Sequence, residues 1–567
     1  MSFSEWVLFF FILQGVHFLG TWRLYKAAGY MSWQAAVPVY NAIILMKIIK
    51  RPLWWVILLF IPTINLILFG VIWVETIRSF GKNSVKDTAL VLLTFGLYIY
   101  IINYNNKITY ITDRSLRPKT GFGETVSSIL WAIVLATIIH NYFIQPYIIP
   151  TGSLEKSLLI GDFLFVSKFH YGARAPMTAV SAPMVHDTIP GFKIRSYLKY
   201  PQYPYLRLPR LQKIRRNDIV VFSWPADTVR QFFVREKRVD KPIDKKSNYV
   251  KRCVGIPGDT LEIINGFIHT NGVKNVLPER ARVQYTYHAY SIKGVSSRKL
   301  LAQGFEDFNR TYKIENISEK SYQKIIPYII GRMGNTVENF KVITSSKGLP
   351  TDIIREAGLR VSEILELKKE MSLTIKEAST LRKISGIDSV NQSINMIKVS
   401  NETFFPNKIT YNWNEDNFGP LLIPKKGMTV KLNRKNLPLY KKIINEYEGN
   451  KVEINPSQIL VNDISVEKYT FKKDYYWMMG DNRHKSEDSR FWGFVPDDHI
   501  VGKPIFIWFS IKGINDGIKN WKIRWNRVFT TVDGPGNRHS YFPYFVSIIL
   551  IWQGFIFYRK RKNKSIA

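Results

Sequence analysis

The stretch that most constrains this chain runs from Ser127 to Ile144 and is apolar apart from its serines, Thr137, His140 and Asn141. An α-helix needs about 20 such residues to cross a bilayer's hydrocarbon core. This one leads without a linker into Gln145–Tyr171, QPYIIPTGSLEKSLLIGDFLFVSKFHY. Whatever folds after Pro146 therefore begins at a membrane surface, and Ser153, in the small turn Thr151-Gly152-Ser153, is among its first residues.

Further apolar segments flank this one. Trp6–Trp22, Leu53–Ile77 and Ala89–Ile102 read as spans, with Leu53–Ile77 the strongest, whereas 33–49 reads as an amphipathic interfacial stretch. At the other end Tyr541–Tyr558 is apolar and is followed by Arg559-Lys560-Arg561-Lys562-Asn563-Lys564. Cationic loops stay on the cytoplasmic side. Lys107, Arg114, Arg117 and Lys119, just before the 127–144 helix, then put Ser153 on the outer face, and the basic tail returns the chain to the cytoplasm. The net charge of +36 fits such flanks, as 15 Trp and 30 Tyr fit the lipid–water boundary. Basic residues gather on no nucleic-acid motif, so nucleic-acid binding is not expected. Cys253 is the single cysteine, which excludes an intramolecular disulfide.

The part between the anchors reads as β-rich. Asp218–Trp224, Tyr249–Val254, Leu261–Ile264 and Pro504–Phe509 are short β-branched and aromatic runs bounded by Pro, Gly, Asn or Asp. Asn265-Gly266 reads as the turn of a hairpin. Residues 276–405 differ: Thr351-Asp352 before Ile353, Ile354, Val361, Ile364 and Leu365, and then Ser372–Ile384, have helical spacing. The expected plan is an N-terminal membrane region (1–105, about three spans), an anchor (124–146), a β-rich domain (147–275 and 406–515) interrupted by a mostly helical insertion (276–405), and a C-terminal span (541–558).

A serine hydroxyl is a poor nucleophile until a base takes its proton. None of the nine histidines lies in a nucleophile elbow or a zinc-binding His-Glu-x-x-His motif. Lysine is the other candidate. Strand alternation puts Lys251 on one face with Tyr249 and Cys253, opposite Val250, Arg252 and Val254. A lysine near its ordinary pKa of about 10.4 is no base at neutral pH, but burial in an apolar site lowers that value by up to several units. With 80 Lys and Arg in the chain, an ordinary solvated lysine is the default reading.

A third segment alters that reading. IPTGS…LLIGDFLFVSKFHYG, RNDIVVFSWP, YVKRCVGIPGD and GDNRHKSEDSRFWGFVP, in this order after a membrane span, resemble the motifs of bacterial type I signal peptidases. The resemblance implies a mainly-β, membrane-anchored serine endopeptidase that cuts signal peptides from exported preproteins through an acyl-enzyme. Ser153 matches the nucleophile and Lys251 the general base. Ser486 matches the serine that orients the lysine, and Thr151, with the backbone N–H of Ser153, the oxyanion hole. Asp488 and Arg490 match a supporting charged pair. Tyr147, Ile149, Pro150, Leu154, Tyr249 and Val250 match the pocket that admits small residues before the cut. The resemblance further implies no cofactor or metal, signal peptides and the lipid bilayer as partners with the secretion translocon nearby, and a location in the bacterial inner membrane with the catalytic domain on the periplasmic face; the multi-pass plan comes from the apolar segments, which exceed the minimal family plan.

Two departures stand out. Leu154 replaces the family's usual methionine, a nearly volume-conserving change. Glu155-Lys156-Ser157 replaces a proline-containing continuation, adding two charges beside the nucleophile. The rival readings are a Ser/Lys peptidase of the same fold with one dedicated client, and a non-catalytic membrane scaffold.

Overall fold

The computed structural model describes residues 3–118, 120–192, 194–229, 238–315, 317–334, 340–456 and 458–566; Lys119 of the basic loop lies outside them. Three helices among these are long and apolar enough to cross a membrane: Ser4–Ala27, Gly121–Phe143 and Phe542–Arg559.

The expected spans at Leu53–Ile77 and Ala89–Ile102 are not continuous helices. The first breaks into Trp55–Leu58 and Ile64–Ser79. Pro62 supplies no N–H there and Thr63 turns the chain at φ 72°. The 16 residues of Ile64–Ser79 rise only about 24 Å, short of a bilayer core of about 30 Å. The second breaks into Val85–Leu93 and Tyr98–Asn103 at Phe95-Gly96, both at positive φ. Within the 33–49 stretch lies the helix Tyr40–Ile48, with Ile44, Leu45, Met46 and Ile48 buried. These short helices pack on the first long one around a shared apolar core. Two of their polar side chains are matched inside it: Glu75 is paired with Arg51 and Arg114, and Asn103 accepts from the backbone N–H of Arg23 and Leu24.

The helix Gly121–Ile138 continues through one π-turn, Ile139–Phe143, straight into strand β1, Ile144–Ile148. That junction fixes the start of the β domain to the end of the anchor. Its sheet is antiparallel and continues with β2 (Asp162–Ser167), the 13-residue strand Ile500–Lys512, β3 (Ile219–Ser223), β4 (Asn248–Gly255), Tyr475–Met479 and Val495–Pro496. The long strand serves both halves, pairing β2 along 503–510 and β3 at 500–502. The Leu261–Ile264 run forms a hairpin with Phe267–Thr270, its turn residues Asn265 and Gly266 at φ 51° and 82°. That is the geometry a two-residue turn needs to match the twist of its strands.

Residues 276–405 are not mostly helical. They hold two small sheets, one of three strands centred on Tyr285–Tyr290 and one of four containing Asn309–Glu315 and Phe340–Ser345. The expected helix at 351 runs from Thr351 to Glu356 only. Gly358, at φ 62°, turns the chain into the strand Arg360–Glu363, where Val361 faces Ile314 across the sheet. Ser372 is likewise on a strand, and Thr374 caps the helix Ile375–Leu381 by a reciprocal bond with Glu377. The apolar residues at helical spacing thus belong to two elements that meet, a short helix and a strand.

Candidate active site

Lys251 lies in the middle of β4 opposite Val220 of β3. The faces separate as alternation requires. Cys253 and Tyr249 pack with Val220 and Phe222, and Val250 packs with Ile219 and Val221 on the other side. Only 4% of Lys251 is exposed. Its Nζ donates to Ser486 Oγ at 3.0 Å and stands 5.7 Å from the centroid of the Tyr249 ring, which is itself stacked on Trp224. Burial is the main cause that lowers the Lys251 amine from 10.5 to about 8. The Asp488 carboxylate pulls the other way, while Arg490 adds to the lowering. A buried amine that gives up its proton near neutral pH is a usable base.

The loop 480–490 carries Ser486 and is held from both ends. Arg490 donates to Asp488 from Nε and Nη2 at 2.9 and 2.8 Å, and Asp488 accepts the backbone N–H of Gly480 at 3.0 Å. Burial opposes ionisation of Asp488, but the Arg490 guanidinium beside it holds its carboxyl below the ordinary range. Gly480 packs so closely that a Cβ there would come within 2.2 Å of Ser486 Oγ and 2.6 Å of the Ser153 carbonyl. A glycine is required at that point, because Ser486 and the Ser153 carbonyl together fill the space a side chain would take.

Ser153 sits in the 3₁₀ turn Gly152–Leu154. Leu154 is buried in an apolar cluster and anchors the turn. From the 480–490 loop, Asn482 donates its backbone N–H to the Ser153 carbonyl at 3.0 Å and its Nδ2 to the Gly152 carbonyl at 3.3 Å. Among the described residues the Ser153 hydroxyl makes no hydrogen bond to Lys251, whose Nζ is engaged by Ser486. Thr151 is exposed and extended, with φ −129° and ψ 156°. Of the expected pocket residues, Tyr147, Ile149, Leu154 and Val250 share one apolar cluster. Pro150 is exposed, and Tyr249 belongs to the opposite face of β4.

Sequence reasoning missed one pair of the site's residues. Arg252 donates to Asp481 through Nε and Nη2 at 2.7 and 2.6 Å, with both side chains buried, and so ties the residue after Lys251 to the residue after Gly480. The signal was a charge on an otherwise apolar face of β4. Also missed is the insertion's share in the site. Gln284 donates to the carbonyl of Glu155, the backbone of Arg282 donates to Ser157 Oγ, and Lys156 Nζ lies 2.6 Å from Glu377. His484, Asp416 and Glu415 cluster as metal ligands would. However, Thr286 N–H donates to His484 Nδ1, so Nε2 carries the proton given to Asp416 at 2.9 Å, and neither ring nitrogen is left for a metal.

A buried amine bonded to one serine, on a loop that touches the turn carrying a second serine, is the constellation of a serine endopeptidase with a lysine base. The family described as signal peptidase, peptidase S26, matches residues 122–325 and 423–509, more than half of the chain. The chain belongs to that family. It is similar to the Signal peptidase I of Buchnera aphidicola subsp. Acyrthosiphon pisum (strain APS), with 24% identity over 72% of this chain and 82% of the relative. The corresponding protein of Buchnera aphidicola subsp. Schizaphis graminum (strain Sg) is 25% identical over 72% of this chain and 84% of its own length. The Signal peptidase I of Rickettsia massiliae (strain Mtu5) is 27% identical over 37% and 61%. A family of unknown function, DUF5684, matches residues 33–113.

Proposed function

We propose that this membrane-bound signal peptidase cuts with Ser153 as nucleophile and Lys251 as general base. The observation that carries the assignment is the 3.0 Å bond from a buried Lys251 Nζ to Ser486 Oγ, on the loop that also grips the Ser153 turn. Lys251, deprotonated, takes the proton of Ser153 as its Oγ attacks the scissile carbonyl. Ser486 keeps the amine aimed while this happens. Negative charge growing on the carbonyl oxygen is met by the backbone N–H of Ser153 and the hydroxyl of Thr151; one such donor is typically worth about 2.7–4 kcal/mol. The amine of the mature protein leaves with the proton, an ester to Ser153 remains, and water activated by Lys251 hydrolyses it. Tyr147, Ile149 and Leu154 present bulky apolar walls that leave room only for small side chains before the cut.

The helix-to-strand junction at Ile144 supports placing the dyad just outside the bilayer, on the outer face of the bacterial inner membrane, where a signal peptide's small-residue end emerges near the translocon. Incubation of the purified protein with a preprotein tests the reading. N-terminal sequencing should find one cut after an A-x-A-like site, and Ser153→Ala should abolish it. Cleavage by Ser153→Ala at the wild-type rate would refute the assignment.

A further inference from the structure

A cavity of about 840 Å³ lies where the insertion meets the β domain, beside the Ser153 loop. Its wall carries six basic side chains against one acidic, Glu377. Several of these cations are already spent. Lys156 is paired with Glu377, Arg527 with Asp162, and Arg282 donates from Nη1 to backbone carbonyls. Arg483 is not. It is 3% exposed, and its Nε and Nη1 are buried with no hydrogen-bond partner among the described residues. The acids nearest to it on its own loop, Asp481 and Asp488, are taken by Arg252 and Arg490. Buried guanidinium donors are almost always matched, so an unmatched one lining a cation-rich cavity marks a place for an anion.

The wall also narrows the kind of anion. The surplus of positive charge favours a phosphate group, with its several oxygens and its capacity for two charges, over a single carboxylate. Phe267, Leu277 and Val283 supply apolar surface next to the cations. We propose that this cavity binds a phosphate-type oxyanion carried on an apolar body, with Arg483 as the buried anchor and Lys274 and Lys376 at the mouth. Lys376 and Glu377 lie between the two stretches that the signal peptidase family matches, whereas Lys274 and Arg483 lie within them, so the insertion supplies one wall of the site. Because Arg483 is three residues from Ser486, a ligand there would bear on the loop that holds Lys251.

The test is a binding titration on the full-length protein in an uncharged maltoside detergent, independent of any peptidase activity. The probes are dihexanoyl phosphatidylglycerol, inorganic phosphate and dihexanoylglycerol, which lacks the phosphate. Saturable binding of the phospholipid, tenfold or more weaker in Arg483→Gln and undetectable for dihexanoylglycerol, is expected. Because Arg483→Gln could disturb its loop, Lys274→Gln with Lys376→Gln is the second variant, and it should weaken binding at least threefold. Equal affinity for inorganic phosphate would assign a soluble phosphate and overturn the apolar part. Failure of both phosphate probes to bind, or binding unchanged in both variants, would overturn the site.

Discussion

Arg252 and Asp481 form a fully buried, doubly hydrogen-bonded pair that locks the lysine's strand to the loop bearing Ser486. Removing one partner of such a pair strands the other charge in an apolar interior, at a cost of about 3–5 kcal/mol, whereas replacing both is far cheaper. Asp481→Asn should therefore lower the melting temperature of the detergent-solubilised protein markedly. Arg252→Met combined with Asp481→Asn should recover much of that loss. A double variant less stable than Asp481→Asn would show that the pair is not a self-contained unit.

Lys251 makes a prediction of the opposite sign. Its amine falls from 10.5 in the unfolded chain to about 8 in the folded protein. Between those values the unfolded state binds more protons, so stability rises with pH across that window. Below about 8 the whole penalty, on the order of 3 kcal/mol, is present. Lys251→Met should thus raise the melting temperature at pH 7 and lose that advantage by pH 10.5. Melting curves of the two proteins at these pH values decide it, and an advantage that grows with pH would contradict the burial account.

One of the insertion's contacts with the nucleophile loop pairs Lys156 with Glu377, 2.6 Å apart. Both side chains are partly exposed, so the pair is worth only about 0–1 kcal/mol to overall stability. Its influence should be local: Lys156 adopts φ 69°, where a non-glycine residue is held only by its surroundings. Glu377→Gln is expected to leave the melting temperature within a degree or two and to lower kcat several-fold with KM little changed. Steady-state cleavage of a preprotein reads this directly, and an unchanged kcat would reduce the contact to packing.

Much of the peptidase core was legible because it rests on local signals. Alternation along Tyr249–Val254 gave the faces of β4, and Asn265-Gly266 gave the hairpin. The motif carrying Ser486 pointed to the serine that now accepts from Lys251. What could not be read depends on distant partners. Val361 is a strand residue because it meets Ile314, 47 positions away in sequence by their numbers, and no local pattern carries that. Leu53–Ile77 has the composition of a span, but a single proline and a positive φ at Thr63 fold it back into a packed bundle. Arg483 is one arginine among 80 Lys and Arg until the cavity wall shows that its buried Nε and Nη1 have no partner among the described residues.

The central claim is that Lys251, made neutral by burial, is the base for Ser153. The measurement that bears on it most directly is kcat/KM for a model preprotein from pH 5 to 10, in wild type and in Lys251→Met, a near-isosteric side chain without an amine. The account predicts a rising limb with a midpoint near 8 in wild type, and a loss of at least about 10³-fold in Lys251→Met. Activity of Lys251→Met within tenfold of wild type, with the same rising limb, would contradict it.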